Sequence, residues 1–362
     1  MFAKKHEIEG VNHNFILRNE AIYVLLKNGE LLKYNVERKE NVWVSSIIEN
    51  ATKIGFLNEV VFSNTGFETK IITPSSGSII SQFAFKVVSP LQTTGSFLAA
   101  SRENGKKLIK LINKDFVSLW EKEIKLGKTV HIDNDTLINT KYLNDQVIIG
   151  YDLESFEELW NVDIAEYGQF KDIRQELQDG LITHVLGTFG DTVWFGVSSG
   201  SLMGVNIKTG ELKHQLGFKD NDFPKFPFEV KEGDYLPFGE LMQLDEDKAE
   251  IIGLRDKYFI KVNLGQSEPR RKYIDVGQSM TAHKISSNYR NYSFPIDEQF
   301  IYFCDDRQGK IGVFDREKQE VTWSYELEIQ KGGIAQILEM KYSNNRWFVL
   351  DRNDILHIFE KE

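Results

Sequence analysis

The chain of 362 residues carries 44 Lys and Arg against 54 Asp and Glu, a formal net charge of −10 that argues against a general affinity for nucleic-acid phosphates. Its 41% hydrophobic and 12% aromatic content is ample for a buried core and excludes wholesale disorder. One cysteine, Cys304, excludes an internal disulfide and any Cys-based metal cluster and fits a reducing compartment, while seven prolines stand where ordinary usage would give about 18.

Met1–Gly10 reads MFAKKHEIEG and holds no apolar run that could serve as a signal-peptide core. No later stretch supplies the ~20 apolar residues of a membrane helix. These features predict a soluble cytoplasmic protein with no membrane partner. Sustained helical periodicity is nearly absent. Short alternating or β-branched runs bounded by Gly, Asn, Asp and Ser recur instead, the signature of strands and turns.

The runs repeat along the chain. Ala21–Val44 reads as an apolar strand, a turn, a second strand ending in Asn35, another turn and a third strand with Trp43. Glu59–Phe83 keeps the strands and a turn at Gly77 without the Trp, and a unit near residue 95 places Trp120 eight residues after Ile112. Gln146–Asn161 and Phe300–Ser324 restore the full pattern, with Asp152 to Trp160 and Asp315 to Trp323 at the eight-residue spacing of Asn35 to Trp43. Thr192–Leu216 keeps that spacing with His214 in the Trp place, and Lys248–Asp275 keeps Asn263. The last unit, Arg346–Glu360, stops one strand short. The Asn or Asp is expected to close a strand and bond the following turn, and the Trp ring to pack on the neighbouring sheet.

Second strands starting near 21, 58, 95, 135, 190, 248, 298 and 345 mark eight units. Eight four-stranded antiparallel units in series predict an all-β propeller, one domain over residues 1–362, with seven blades as the fallback. Residues near Phe2–Glu9 have nothing else to pair with, so they are expected to supply the strand missing from the last blade.

Tyr151–Trp160, Asn206–Glu211 (NIKTGE) and Phe314-Asp315 with Trp323 resemble the pyrroloquinoline-quinone-type propeller repeat, an apolar pair, Asp, two residues, Thr-Gly, and Trp eight after the Asp. Only Thr209-Gly210 matches the Thr-Gly element. The resemblance implies eight blades. It does not extend to the quinone dehydrogenases, which use adjacent cysteines over the cofactor where this chain has only Cys304. A member without enzyme activity or cofactor is therefore expected.

Motifs of chemistry are sparse. The seven histidines have no metal-ligand spacing, and Cys304 reads as a buried core residue of a strand. Gly196-Val-Ser-Ser-Gly200 matches a nucleophile elbow but lies between two expected strands, so it reads as a hairpin turn. Acidic pairs such as Asp133/Asp135, Asp220/Asp222 and Asp305/Asp306 read as turn formers. Arg270-Arg271-Lys272 reads as a solvated outer-strand patch.

Unit spacing rises from about 37–40 to 47–58 residues midway, and three insertions account for it: 165–179, polar and capable of a short helix, 217–239 and 277–295. Because strands alternate in direction, all three should emerge on one face and form a contiguous ridge, and extra length in repeats commonly maps to a binding face. Phe223, Phe226, Phe228, Tyr235 and Phe238, with Pro224, Pro227 and Pro237, crowd the second insertion, and Tyr289, Arg290, Tyr292 and Phe294 crowd the third. Aromatic rings with Arg are the composition of interface anchors. The alternative for the rings is that they fold down as plugs of the disc. The expected function is a monomeric, non-catalytic scaffold that captures a basic protein partner, with toxin neutralisation or complex organisation as settings. The rival is an enzyme or small-ligand binder using the central channel.

Overall fold

The structure, a computed structural model, describes all residues except 19, 46–50, 91–94, 134, 166, 168–169, 172–175, 199, 218–241, 256, 286–293, 306–307 and 329–335. It divides into two compact units, residues 1–125 with 329–362, and residues 126–328.

The first unit opens with strand β1 (Phe2–Ile8). Blade 1 follows as β2 (Val11–Arg18), β3 (Ala21–Leu26), β4 (Leu31–Asn35) and β5 (Glu40–Ser45). Blade 2 is β6 (Lys53–Leu57), β7 (Val60–Thr65), β8 (Glu68–Ile72) and β9 (Ile79–Phe83). Blade 3 is β10 (Lys86–Pro90), β11 (Phe97–Glu103), β12 (Lys106–Ile112) and β13 (Ser118–Lys122).

In the second unit, blade 4 is β14 (Leu126–Asp133), β15 (Thr136–Lys141), β16 (Asn144–Asp152) and β17 (Glu158–Asp163). A two-stranded ribbon, β18 (Phe170–Lys171) with β19 (Leu177–Gln178), precedes blade 5: β20 (Ile182–Phe189), β21 (Thr192–Val197), β22 (Leu202–Asn206) and β23 (Leu212–Leu216). Blade 6 is β24 (Met242–Asp245), β25 (Glu250–Arg255), β26 (Tyr258–Asn263) and β27 (Arg271–Asp275), followed by helix α1 (Gly277–Ala282). Blade 7 is β28 (Phe300–Asp305), β29 (Lys310–Asp315) and β30 (Glu320–Glu326), with a bridge from Ile296 to Ile301 at its innermost position. The chain then re-enters the first unit as blade 8, β31 (Ile337–Ser343), β32 (Arg346–Asp351) and β33 (Leu356–Lys361).

Every sheet is antiparallel with neighbours in chain order, except that β1 pairs with β33 and gives blade 8 its fourth strand. The fold is an eight-bladed β-propeller. Its second strands begin at 21, 60, 97, 136, 192, 250, 300 and 346, within two residues of the starts read from the sequence. These strands are near-continuous apolar runs because neighbouring blades cover both their faces. AIYVLL, TVWFGV and RWFVLD are almost wholly buried. The outermost strands carry the polar load, as in SLWEK of β13.

The eight-residue spacing has a geometric cause. Asn35, Asp152, Asn206 and Asp315 each end a third strand and accept backbone N–H bonds from the next turn, at 2.7–3.0 Å. In blade 3, where Ile112 stands, the next residue Asn113 does this instead. Two of the Trp rings, Trp43 and Trp160, cross to the following blade. Trp43 Nε1 donates to the Pro74 carbonyl at 3.0 Å, and Trp160 Nε1 to the Ile207 carbonyl at 2.8 Å. Trp160 lies so close over Gly150 and Gly210 that a Cβ at either would sit 2.3 or 2.8 Å from its ring.

At the join of the chain ends, β1 runs from Phe2 opposite Lys361 to Ile8 opposite Leu356. The Phe2 ring meets Trp347 edge-on at 6.0 Å. His357, fully buried, lies between Asp351 and Glu7. Its Nε2 is 3.2 Å from Asp351 Oδ2, and its Nδ1 is 2.7 Å from Glu7 Oε1 without hydrogen-bond alignment.

Two expectations need correction. The first insertion forms the β18–β19 ribbon among its described residues, and no helix. The helix belongs instead to the third insertion, where α1 buries Met280. Arg271 is not solvated: it is 1% exposed, because its guanidinium donates to the carbonyls of Gly200 (2.8 Å) and Leu216 (3.1 Å) and to the Tyr273 hydroxyl (3.1 Å). Arg270 and Lys272 beside it remain exposed. Cys304 is buried and forms no disulfide, and Gly200, at φ +82°, sits in the β21–β22 hairpin as the elbow motif's turn reading requires.

Candidate partner-binding face

The three insertions join blades 4 to 5, 5 to 6 and 6 to 7, all within the second unit. The outermost strands β17, β23 and β27 that precede them end on the side that also carries the turns between second and third strands.

The first insertion starts with a turn anchored on blade 4. Ile164 N–H donates to the Gln146 carbonyl, and Tyr167 N–H to the Ile164 carbonyl, both at 2.9 Å. Gln146 Nε2 reaches Asp179 Oδ2 at 3.0 Å, and Gln215 Nε2 of blade 5 holds the Tyr167 carbonyl at 2.7 Å. The third insertion starts with α1 laid against β30. Ser279 Oγ accepts the Val321 N–H at 2.6 Å, His283 Nδ1 is 3.0 Å from Ser324 Oγ, and Lys310 Nζ donates to the Lys284 carbonyl at 2.8 Å. Lys257 Nζ bonds Asp275 Oδ2 at 2.7 Å beneath it; that bond raises the Lys257 pKa and lowers that of Asp275.

Of the residues expected as anchors, Phe223, Phe226, Phe228, Tyr235, Phe238, Tyr289, Arg290 and Tyr292 lie outside the described residues. Phe294 is described, and it is no exposed anchor. It is 2% exposed, in a cluster with Phe259, Met280, Ile301 and Phe314, where the third insertion returns to blade 7. Exposed apolar groups that the sequence reading passed over lie in the same unit: Tyr142 and Leu143 in the β15–β16 turn, Tyr167, and Leu181.

Elsewhere in the second unit, His131 Nε2 on β14 is 3.3 Å from Thr188 Oγ1 on β20, and His184 Nδ1 is 2.9 Å from Thr183 Oγ1. Burial pushes both imidazoles below the usual histidine range, partly opposed by the Asp133 charge at His131 and by a Met242 backbone hydrogen bond at His184. A cavity of about 550 Å³ between the β24–β25 turn and residues 296–298 is lined by Asp245, Glu246, Asp247, Lys248, Asp297 and Glu298. Buried Arg316 lies behind it, 2.6 Å from Asp245 and 3.0 Å from Glu250. Among the described residues no group of three or more His, Cys, Asp or Glu is placed to hold a metal ion. No helix among them is long and apolar enough to cross a membrane.

Fold and face together define a β-propeller with enlarged connections between blades 4 and 7. No protein-family model matches this chain, and no curated protein matches it. Among solved structures it is similar to the computationally designed protein Ika8, with TM-score 0.65, 10% identity, and 99% of this chain and 98% of that one covered. It is also similar to BamB from Moraxella catarrhalis (0.59, 11%, all of both chains) and Sqt1 from Saccharomyces cerevisiae (0.62, 12%, 100% and 98%). At such identities the likeness carries the fold alone.

Proposed function

We propose that this protein is a non-catalytic interaction scaffold whose partner-binding surface is the ridge of residues 165–179, 217–239 and 277–295. One observation carries the reading: the three insertions read from the sequence are consecutive, and each joins the end of an outermost strand to the start of the next blade within one compact unit. Phe223, Phe226, Phe228, Tyr235 and Phe238, with Tyr289, Arg290 and Tyr292, supply the anchors, and three prolines in the second insertion reduce the entropy lost on ordering it.

In this reading the chain is one cytoplasmic, monomeric propeller domain with a pyrroloquinoline-quinone-type repeat. Support for the repeat comes from Trp160, which rests on Gly210 of the Thr-Gly turn and bonds Ile207 in the next blade. A net charge of −10 favours a basic protein partner, in a setting such as toxin neutralisation or complex organisation. The mechanism is rigid display: the blades hold the loops in place, so little ordering entropy opposes binding.

The test replaces Phe226, Phe228, Tyr235 and Tyr292 together by Ala and compares capture of partners from the source cell with wild type. Loss of capture with melting within about 2 °C of wild type is expected. An unfolded variant would make the rings structural plugs, and unchanged capture would move the surface elsewhere.

A further inference from the structure

Asn-Gly occurs twice in the chain, at Asn28-Gly29 and Asn104-Gly105, and both pairs sit in turns between second and third strands, in blades 1 and 3. The pair carries its own chemistry. Glycine has no side chain to shield its backbone nitrogen, so that nitrogen can reach the carbonyl carbon of the asparagine side chain. The two turns are built differently, and the difference selects one of them for reaction.

In blade 1 the asparagine and the glycine nitrogen are both held. Asn28 Nδ2 donates to Glu30 Oε2 at 2.7 Å, Asn28 Oδ1 accepts the Glu30 N–H at 3.0 Å, and the Gly29 N–H donates to the Leu26 carbonyl at 3.0 Å. Lys27 roots the turn further: its N–H donates to the Gly10 carbonyl at 2.8 Å, and its ammonium pairs with Asp354. Beneath the turn, Leu25 and Leu31 stand opposite each other and fully buried.

In blade 3 the pair is open. The β11–β12 ladder runs out to Glu103 opposite Lys106, so Asn104 and Gly105 alone form the turn, at φ +51° and +79°, both positive as in a two-residue type I′ hairpin. Residues 102–107 are all exposed, the Asn104 side chain makes no hydrogen bond among the described residues, and a Cβ on Gly105 would meet nothing within 4 Å. Lys110 takes up Glu103 and Glu123 takes up Lys106, both at 2.6 Å. Arg102 stands directly opposite Lys107, and like charges so placed weaken the last rungs and favour their local opening. Their positive potential also stabilises a deprotonated Gly105 nitrogen.

We propose that Asn104 is a modification site, at which the folded chain converts spontaneously to aspartate and isoaspartate, and that the blade 1 turn protects Asn28 from the same reaction. Hydroxide takes the Gly105 N–H proton, and the nitrogen attacks Asn104 Cγ. The new C–N bond closes a succinimide ring as the Cγ–Nδ2 bond breaks, and ammonia leaves with a proton from water. Water then opens the ring. Attack at Cγ gives aspartate, and attack at the backbone carbonyl gives isoaspartate, whose main chain runs through Cβ. Either product exchanges the side-chain NH2 for a carboxylate oxygen and adds one negative charge to the net −10.

The test incubates the full-length protein at pH 8.5 and 37 °C, with and without 6 M guanidinium chloride. Peptide mass spectrometry follows Asn28 and Asn104, and electron-transfer fragmentation separates isoaspartate from aspartate. In the folded protein Asn104 should convert about tenfold faster than Asn28 or more, since three hydrogen bonds hold the blade 1 pair. In the unfolded chain the two should convert at similar rates. Glu30→Ala, which releases Asn28 Nδ2, should speed conversion at Asn28 in the folded protein several-fold. An Asn104 that stays intact in the folded protein, an Asn28 that converts as fast, or the same difference persisting in guanidinium would each overturn the inference. An E30A chain in which Asn28 stays as inert as in wild type would overturn the protection assigned to the blade 1 turn.

Discussion

At the scale of single residues, the contact that ties blade to blade is a tryptophan ring laid on a glycine. Gly210 has φ +73°, and a Cβ there would lie 2.8 Å from Trp160; Gly10 has the same φ with nothing within 4 Å. Gly210→Ala should therefore combine backbone strain with a ring clash and cost about 2–4 kcal/mol in urea unfolding. Gly10→Ala should cost only about 1 kcal/mol, the backbone share. Equal losses would show that the Trp160 contact adds nothing. The Trp and Asn/Asp positions were legible because the same spacing recurs in several units. Arg271 was not, since it stands in a run of three cations and only the fold shows three acceptors converging on it.

At the scale of elements, blade 8 depends on a strand from the other end of the chain. Removing residues 2–8 would expose the β33 edge and the faces that Phe2 and Ile8 bury, a loss of about 3–6 kcal/mol from those two side chains alone. Calorimetry of the truncated chain should show a clearly lowered melting temperature. An unchanged one would contradict the closure.

The same join should be sensitive to acid. Burial raises both the Glu7 and Asp351 carboxyls, but Lys4 and His357 at Glu7, and His357 with the Ile355 N–H and Asn353 at Asp351, outweigh it and leave both below the usual carboxylate range. A carboxylate with a lowered folded-state pKa stabilises above its unfolded pKa and loses that contribution as pH falls through the folded value. Wild type should thus lose stability below about pH 4 more steeply than Asp351→Asn, measured by melting from pH 6 to pH 3. Parallel curves would remove His357 and its carboxylates from the account of acid stability. The N-terminal strand was legible because Phe2–Glu9 precede the first unit with nothing adjacent to pair with, while the last unit stops one strand short. Helix α1 was not, because GQSMTA has no side-chain cap and six residues leave no period to detect. The β18–β19 ribbon was missed for a related reason, as two-residue strands leave no alternation to read.

At the scale of the whole molecule, the scarcity of proline follows from the ladders. Pro74, Pro269 and Pro295 lie outside the strands and Pro90 ends an innermost one, where a missing N–H costs least. Blade number and order could be read from the sequence because each blade repeats the same apolar period. The face could be inferred only from insertion length, and Phe294 marks the limit of that inference: its neighbours Tyr289, Arg290 and Tyr292 make it read as an anchor, yet the ring belongs to the blade 6–7 core. The most direct test of the scaffold account is hydrogen–deuterium exchange on the protein with and without the partner it captures. The account predicts new protection in residues 165–179, 217–239 and 277–295. Protection confined to the opposite-face turns, such as 245–249 and 296–299, would contradict it.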